Sequence, residues 1–476
     1  MPRGGGLALD MSQAERGGRA YLAGGTEGTM PPGDPPQSNL SFPDISALPR
    51  GFIWGVSTSA FQIEGATDED GRGASIWDTY DRLKQTASGD TGDVACDHYH
   101  RYPEDVALMR RLGVQAYRFS VAWPRILPAG RGAVNDKGLA FYDRLIDAIL
   151  EAGIEPWLCL YHWDLPQALA DAGGWTVRDS VQWFADYAAI VAPRYGDRVK
   201  RFATFNESSI FTIFTFALGS RAPKTLAPLH RAIHHVNLAH GAAVDVIRAR
   251  VADASIGVIH NVQPCLPSSP DDAEAARRCA AYWNLAFPDP QYGGAYPELL
   301  RRSIEPYMQP GDLARIRRPL DWFGLNHYGP TYMRRDDTVP VGFNFGPQPA
   351  GTATTPIGWA ASADAFRDTL LSVAAAYRVP VYVTENGLGA RETPGEVADH
   401  ARIDYLRRYI GAMNAAAARG ADIRGYFVWS LLDNFEWDSG YAVRFGLVSV
   451  DYATQNRIPK LSYGWYRGLI EAARSR

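Results

Sequence analysis

The sequence contains few cysteines, and none of them is arranged as a metal site would require. Among 476 residues there are 4 cysteines, Cys96, Cys159, Cys265 and Cys279, and none forms a Cys-x-x-Cys motif. This spacing argues against zinc, and it suits thiols that stay reduced in a cytoplasm. Cys159 lies in an apolar run, where we expect a buried free thiol.

Long hydrophobic runs and a large excess of one charge are also missing. No stretch reaches about 18 apolar residues, so we expect no transmembrane helix and no membrane partner. The net charge of −4 offers no basic surface for nucleic acid. Residues 1–40 are rich in glycine and proline and lack the apolar core of a secretory signal. We interpret them as a disordered extension, with Met11 and Met30 as alternative start sites.

Aromatic residues, in contrast, are abundant. The chain has 13 tryptophans, 24 tyrosines and 19 phenylalanines. Ligand pockets are commonly lined by such rings, and the apolar faces of sugars stack on them. A large core uses aromatic residues as well, so composition alone leaves both interpretations open.

From residue 52 onward, short β-rich runs alternate with helical periodicity. We interpret eight runs as strands: Phe52–Val56, Ala116–Val121, Glu155–Tyr161, Arg201–Asn206, Ser255–His260, Trp322–Asn326, Val381–Thr384 and Gly425–Trp429. The main helical segments are Glu104–Leu112, Lys137–Ala152, Val181–Ala192, Leu229–Ala249, Ala363–Tyr377 and Ile403–Arg419. This alternation predicts an α/β fold, a single-domain (β/α)8 TIM barrel with extended βα loops. The long loop Gly329–Ala361 would form a rim or lid of the site.

Polar residues concentrate where these predicted strands end. Several strand ends carry them: residues 61–65 (FQIEG), Arg118, residues 161–166 (YHWDLP), 204–208 (TFNES), 324–328 (GLNHY), 383–387 (VTENG) and 429–437 (WSLLDNFEW). Such side chains are costly to bury without partners, and the strand ends of a barrel meet at one face. We therefore expect them to share a pocket.

Two glutamates in this set, Glu207 and Glu385, follow the fourth and seventh strands. They can face each other across the barrel mouth. Cleavage of a glycosidic bond needs such a pair, because one carboxyl protonates the leaving oxygen and the other attacks the anomeric carbon or activates water.

These motifs, in this order, resemble glycoside hydrolase family 1, the β-glucosidase family. The resemblance runs from about Phe52 to Trp465 and implies that residues 41–476 are a retaining glycosidase domain. It implies that Glu207 is the general acid/base, with a raised pKa, and Glu385 the ionised nucleophile. Arg118 and Tyr328 match residues that flank the nucleophile.

The resemblance also implies a sugar-binding set with no cofactor and no metal. Its members can donate to hydroxyls or stack on a ring: Gln62, His162, Trp163, Asn206, Asn326, Trp429, Glu436, Trp437 and Phe445. Family members that act on 6-phosphorylated sugars usually have a small residue where this chain has Glu436. The carboxylate therefore favours unphosphorylated β-glucosides, with β-galactosides or β-fucosides as side activities. We expect a small β-glycoside or a short oligosaccharide as the substrate, and association into a homo-oligomer stays open.

Two alternatives stay open beside hydrolysis. A transglycosidase would use the same two glutamates, with an alcohol in place of water in the second step. A sugar-binding pseudoenzyme would have lost one of them, and both are present. Thioglucosidases of the family have Gln at the position of Glu207.

The chain departs from the family pattern after the fourth strand. Ser208 stands where the family usually has proline, and Arg221-Ala-Pro-Lys224 replaces the usual His-Ala-Pro-Gly. Phe211, Phe214 and Phe216 would line an aglycone site for an aryl or terpenoid group, or simply pack in the core. His234, His235 and His240 resemble a metal cluster, but no carboxylate accompanies them at ligand spacing, so we interpret them as packing or capping residues.

Overall fold

The computed structural model describes residues 41–83, 85–219, 222–393 and 395–476. The predicted extension over residues 1–40 lies outside these ranges. Within them, none of the helices is both long enough and apolar enough to cross a membrane.

Parallel strands form a closed barrel, which confirms the predicted fold. In chain order the strands are β1 (Ile53–Ser57), β2 (Ala116–Ser120), β3 (Glu155–Cys159), β4 (Arg201–Asn206), β5 (Ser255–Asn261), β6 (Cys265–Pro267), β7 (Trp322–Asn326), β8 (Thr331–Arg335), β9 (Phe343–Phe345), β10 (Val381–Asn386), β11 (Ile423–Trp429), β12 (Val448–Asp451) and β13 (Asn456–Pro459). The barrel order is β1-β11-β10-β7-β5-β4-β3-β2. Each predicted strand corresponds to one barrel strand, with ends that agree within two residues.

Helices surround the barrel. The α-helices are α1 (Ala60–Ile63), α2 (Ile76–Arg82), α3 (His98–Leu112), α4 (Trp123–Ile126), α5 (Asp136–Glu151), α6 (Gln167–Asp171), α7 (Ser180–Tyr195), α8 (Ser208–Ile213), α9 (Ala227–Arg250), α10 (Ala273–Ala280), α11 (Glu298–Ile304), α12 (Asp312–Ile316), α13 (Ala363–Tyr377), α14 (His400–Ala418) and α15 (Leu461–Arg474). The 3₁₀ turns are Gly174–Thr176, Pro270–Asp272, Glu305–Tyr307 and Trp437–Ser439, and the π turns are Phe214–Leu218, Ala281–Leu285 and Asp289–Gly293.

Large aromatic side chains fill the barrel interior. Trp157 from β3 packs against Trp322, Tyr382 and Phe427, with ring centroids 5.2, 4.8 and 5.1 Å away. Gly257 on β5 makes room for this packing, because a Cβ there would lie 2.2 Å from the Trp322 ring. The interior is therefore a packed core, and a ligand has room only at its open end.

The loop predicted over residues 329–361 is partly ordered into strands. Its β8 and β9 pair with each other, and β8 also pairs with β6 from the preceding barrel loop. The glycine and proline residues of the segment indicated a loop, so the two short strands were not predicted. The pairing of β8 with β6 also depends on a partner that is distant in sequence. The result is a small sheet, β6-β8-β9, separate from the barrel sheet.

Candidate active site

Glu207 follows β4 at the carboxyl end of the barrel. Its backbone has φ +50° and ψ 57°, and its N–H donates to the carbonyl oxygen of Ile259 on β5 at 2.9 Å. This left-handed turn ends the strand, and α8 begins at the next residue. A glutamate in this backbone conformation is uncommon, and such positions concentrate at functional sites.

Two amide groups hold one oxygen of the Glu207 carboxyl. Asn326 Nδ2 donates to Oε1 at 2.7 Å, and Asn261 Nδ2 donates to the same atom at 3.0 Å. Burial, together with the negative charge of Glu385, raises the pKa of Glu207 to about 8, although both amides act in the opposite direction. At neutral pH this carboxyl is therefore mostly protonated, with one oxygen already engaged.

Glu385 lies in a different environment, at the end of β10. Arg118 Nη1 donates to its Oε1 at 2.5 Å, and the Tyr328 hydroxyl donates to its Oε2 at 2.7 Å. All three side chains are largely removed from solvent. A guanidinium and a phenol hydroxyl stabilise a negative charge on this carboxylate and fix its direction.

Asn206 connects the two carboxyl environments. Its Oδ1 accepts from Arg118 Nη2 at 2.6 Å and from Asn326 Nδ2 at 3.0 Å, and its Nδ2 lies 3.2 Å from His162 Nε2. Burial and the charge of Arg118 hold the pKa of His162 well below its usual range. The imidazole is therefore neutral and can both donate and accept a hydrogen bond.

Gln62 and Glu436 form a second polar group at the barrel mouth. Gln62 Nε2 donates to Asn434 Oδ1 at 3.0 Å, to the Phe435 carbonyl oxygen at 2.9 Å and to Glu436 Oε2 at 3.2 Å. Ser59 Oγ donates to Gln62 Oε1 at 2.6 Å. These contacts hold the amide and the carboxylate side by side, as two adjacent hydroxyls of a ligand would require.

Aromatic rings lie beside these polar groups at the barrel mouth. Trp437 lies against Trp163, with centroids 4.7 Å apart, and His162 lies 5.8 Å from Trp429 at an interplanar angle of 22°. Trp163 Nε1 also donates to the Asn206 carbonyl oxygen at 3.0 Å. Phe445 packs against Tyr328 at 5.9 Å, so the rings extend to the side of the site where Glu385 lies.

The contacts thus bring the sequence-predicted residues into one connected region. Three contributors are new: Asn261, Thr384, whose Oγ1 donates to Asn326 Oδ1 at 2.7 Å, and Asn434. Asn261 ends the fifth barrel strand, so the strand-end pattern itself could have revealed it. Thr384 and Asn434 lie within the motifs already identified, but nothing in the sequence shows which neighbours of a motif residue point inward.

The aromatic segment after Glu207 is buried, and its rings contact two different groups of neighbours. Phe211 packs among core rings, with Tyr161 at 5.3 Å and Trp175 at 6.2 Å. Phe214 instead stacks on Phe345 of β9 at 6.1 Å and meets Trp283 edge-on at 6.1 Å. Trp283 Nε1 donates to Asn261 Oδ1 at 3.1 Å, which ties this ring group to the partner of Glu207.

Other departures from the family pattern lie around this segment. Ser208 begins α8 and is buried, and its hydroxyl has no hydrogen-bond partner among the residues that the structure describes. Lys224 is exposed, Arg221 lies outside the described residues, and Phe216 is buried.

The histidines of α9 make separate contacts. His234 Nε2 lies 2.9 Å from Asp312 Oδ2, His235 Nδ1 lies 3.0 Å from the Trp175 carbonyl oxygen, and His240 Nδ1 lies 2.7 Å from Thr204 Oγ1. Each of the three imidazoles therefore has a hydrogen-bond partner on a different element, and the partner of His234 is a carboxylate that the local sequence did not indicate.

Comparison with known proteins gives a consistent result. A sequence model of the family described as glycosyl hydrolase family 1 matches residues 45–475. β-Glucosidase A of Thermotoga maritima is 42% identical over 441 residues, covering 90% of this chain and 98% of that protein. A bifunctional β-D-glucosidase/β-D-fucosidase of Bifidobacterium breve is 42% identical over 454 residues, covering 89% of this chain and 98% of that one. The solved structure of a Thermotoga maritima β-glucosidase in complex with glucoimidazole has a TM-score of 0.84 at 41% identity, over 90% of this chain and 99% of that chain.

Proposed function

The chain belongs to glycosyl hydrolase family 1 and is a retaining β-glucosidase, and on this basis we propose that Glu207 is its general acid/base and Glu385 its nucleophile. The observation that carries the assignment is the contrast between the two carboxyl groups. Burial and a neighbouring negative charge raise the pKa of Glu207, whereas Glu385 accepts hydrogen bonds from a cation and a phenol. The first environment favours a proton donor and the second a charged nucleophile.

In the first step, Glu385 attacks the anomeric carbon while Glu207 gives its proton to the glycosidic oxygen. Because Glu207 Oε1 already accepts from two amides, its Oε2 is the oxygen free to carry that proton. The aglycone then leaves as an alcohol, and the sugar stays bound to Glu385 as an ester. In the second step a water oxygen attacks the anomeric carbon while the ionised Glu207 takes a proton from that water. The ester bond to Glu385 breaks, Glu385 leaves as a carboxylate, and the sugar is released with its original configuration.

The sugar ring, in this proposal, binds among the polar and aromatic residues of the barrel mouth. The glycone-binding set is Gln62, His162, Trp163, Asn206, Asn326, Trp429, Glu436, Trp437 and Phe445. Three features support it: the paired amide and carboxylate of Gln62 and Glu436, the neutral imidazole of His162, and the stacked indoles beside it. The same set suits β-D-fucosides, on which the Bifidobacterium breve relative also acts by its name.

The aglycone, we infer, lies beside Phe214, Trp283 and Phe345, which adjoin the acid/base through Asn261. This wall suits an aryl or other apolar leaving group. Phe211 belongs to the core by its contacts and serves as the matched control. Phe214→Ala is expected to raise KM for an aryl glucoside more than for methyl β-glucoside, whereas Phe211→Leu is expected to affect both alike.

Residues 41–476 form the catalytic domain in this proposal, and the family match over residues 45–475 supports that boundary. We further propose a cytoplasmic enzyme, in line with its four free cysteines. Self-association is tested by sedimentation of the purified protein at several concentrations.

The first experiment follows release of an aryl alcohol from an aryl β-D-glucoside. Glu385→Ala is expected to lower kcat at least a thousand-fold, which corresponds to about 4 kcal/mol of transition-state stabilisation. Glu471→Ala, which removes an exposed carboxylate from α15, is the control and keeps the wild-type rate. Wild-type turnover by Glu385→Ala would refute the nucleophile assignment.

A second variant distinguishes the two roles. Glu207→Ala is expected to slow release of a poor leaving group far more than release of an activated phenol. Azide needs no general base, so it is expected to rescue this variant and give β-glucosyl azide. Rescue that gives the α-configured azide, as if Glu207 were the nucleophile, would reverse the assignment.

A further inference from the structure

Two cysteine sulfurs meet beside the small sheet β6-β8-β9. Cys265 begins β6 and Cys279 lies in the last turn of α10, and their Sγ atoms are 3.2 Å apart. Cys96 and Cys159 instead contact the backbone carbonyl oxygens of Asp433 and Tyr161. The catalytic proposal uses neither member of the pair.

We propose that Cys265 and Cys279 are a reversible disulfide-forming site that braces the wall beside the acid/base. A disulfide requires a sulfur–sulfur distance of about 2.05 Å, so the two atoms need to approach by about 1.2 Å. Both residues lie outside the barrel strands, on a three-residue strand and at a helix end. Closure therefore shifts peripheral segments and leaves the barrel register unchanged.

A separate set of hydrogen bonds already holds the two segments together. Asn284, in the π turn that continues from α10, donates through Nδ2 to the carbonyl oxygen of Gln263 at 2.8 Å and accepts from the Gln263 N–H at 3.2 Å. Gln263 lies just before Cys265 in the chain. The amide pair thus fixes strand against helix next to the sulfurs, which keeps the thiols in register for bond formation.

The two thiols differ in access. Cys265 is partly exposed, whereas Cys279 is buried, and burial raises the pKa of the Cys279 thiol well above its usual range. An oxidant from solvent therefore reaches Cys265 first, and Cys279 resolves the product. In exchange with a small disulfide RSSR, the Cys265 thiolate attacks one sulfur and releases RS⁻. Cys279, as its thiolate, then attacks Sγ of Cys265 and releases the second RS⁻. Two protein thiols are oxidised, one RSSR is reduced to two RSH, and two protons pass from the protein to RS⁻.

The pair connects to the catalytic site through Trp283. This residue follows Cys279 by one turn, packs against Phe214 and Phe345, and donates to Asn261, whose amide holds Glu207 Oε1. A disulfide at Cys279 therefore restrains the aromatic group of Phe214, Trp283 and Phe345, which lies on the leaving-group side of Glu207. This part of the inference rests on the proposed function, whereas formation of the disulfide does not.

The first test maps the thiols of the full-length protein. The native enzyme is incubated with oxidised glutathione, free thiols are alkylated, and peptides are identified by mass spectrometry. The expected product joins Cys265 to Cys279, lowers the intact mass by two hydrogens and is reversed by dithiothreitol. Cys265→Ser and Cys279→Ala are each expected to abolish it. Stable glutathionylation of Cys265, continued alkylation of both thiols, or pairing with Cys96 or Cys159 would overturn the proposal.

The second test measures the consequence. The oxidised wild type is expected to melt a few degrees above the reduced form, because the bond restrains the unfolded chain. Oxidation is expected to change kcat for an alkyl glucoside more than for an activated aryl glucoside, since the former depends more on proton donation. Cys265→Ser, carried through the same treatment, shows neither change.

Equal rates and equal melting temperatures of the reduced and oxidised wild type, after formation of the disulfide has been shown, would reject the bracing role. An enzyme inactive in both forms would contradict the proposed function and leave the thiol mapping valid.

Discussion

At the scale of single residues, the two carboxyls proposed as catalytic, those of Glu207 and Glu385, differ mainly in their neighbours. Both belong to glutamates that end parallel strands, and both are buried. The amides of Asn261 and Asn326, which carry no charge, contact Glu207, whereas the guanidinium of Arg118 binds Glu385. An uncompensated negative charge is unfavourable in a buried site. A buried carboxyl without a cation beside it therefore keeps its proton more readily than one that contacts a cation.

Tyr328→Phe tests the hydroxyl that reaches the nucleophile. Hydrogen bonds to charged groups contribute about 1.5–3 kcal/mol, so we expect kcat/KM to fall about 10- to 100-fold. Tyr409→Phe is the control, because its hydroxyl lies 3.3 Å from the backbone carbonyl oxygen of Tyr328 and contacts neither carboxyl. The measurement is kcat/KM of both variants and of the wild type for an aryl glucoside. A Tyr328→Phe enzyme as fast as Tyr409→Phe would show that the phenol has no part in aiming Glu385.

Glu207→Gln tests the raised pKa through stability. The pKa of Glu207 is about 8 in the folded protein, against an ordinary value of 4.5. Below pH 4.5 the group is protonated in both states. As pH rises towards 8 the unfolded chain releases this proton first, so the wild type loses stability across that window. Glutamine does not titrate and keeps an acceptor oxygen for both amides.

The expected result is a gain in melting temperature for Glu207→Gln that is larger at pH 8 than at pH 5, together with loss of activity. Differential scanning calorimetry at the two pH values measures it. Glu471→Gln, on the surface of α15, is the control and shifts little at either pH. A gain of equal size at pH 5 and pH 8 would mean that the pKa of Glu207 is not raised.

At the scale of elements, the sequence predicts strands well and contacts poorly. Strand bounds such as Trp322–Asn326 follow from buried β-rich runs, which are local properties of the chain. The pairing of β8 with β6 joins segments separated by α10, α11, α12 and the barrel strand β7, so no local pattern predicts it. For the same reason, the hydrogen bond from Asn261 to Glu207 becomes visible only when β5 lies beside β4, although the position of Asn261 at a strand end is a local feature of the sequence.

Ser208→Pro tests how α8 holds the acid/base. Proline suits the first helical position, and its fixed φ reduces the freedom of the unfolded chain, which is worth about 0.4–1 kcal/mol. Against this, proline restricts the residue before it, here Glu207 at φ +50°. Because the family usually carries proline at this position, we expect an active variant with a slightly raised melting temperature.

Ser208→Ala separates the two contributions, since it also removes the unpartnered hydroxyl but leaves the backbone N–H in place. We expect both variants to keep the alkaline limb of the pH–rate profile. If the alkaline limb of the pH–rate profile moved to a different pH in Ser208→Pro but not in Ser208→Ala, the conformation of the turn would be shown to affect the pKa of Glu207.

At the scale of the whole molecule, the segment that begins at Phe42 packs against the last two helices of the barrel. Phe42 packs on Trp465 of α15 at 5.9 Å, and the Ala47 N–H donates to Asn414 Oδ1 of α14 at 2.8 Å. Arg476 also donates to the carbonyl oxygen of Ile45. The segment from Phe42 to Leu48 therefore fastens the last two barrel helices. The role of this segment is structural, and its sequence contains none of the motifs that resemble catalytic ones.

Truncation tests this boundary. We expect removal of residues 1–40 to leave the melting temperature and kcat/KM unchanged, because the contacts that fasten α14 and α15 begin at Phe42. Removal of residues 1–48 takes away the buried side chains of Ile45 and Leu48, each worth about 1.5–3 kcal/mol, and is expected to lower the melting temperature by several degrees. Thermal melts and aryl glucoside assays on the two truncated chains make the comparison. Equal stability of both would place the domain boundary after Leu48, whereas a loss of activity on removal of residues 1–40 would extend the catalytic unit towards Met1.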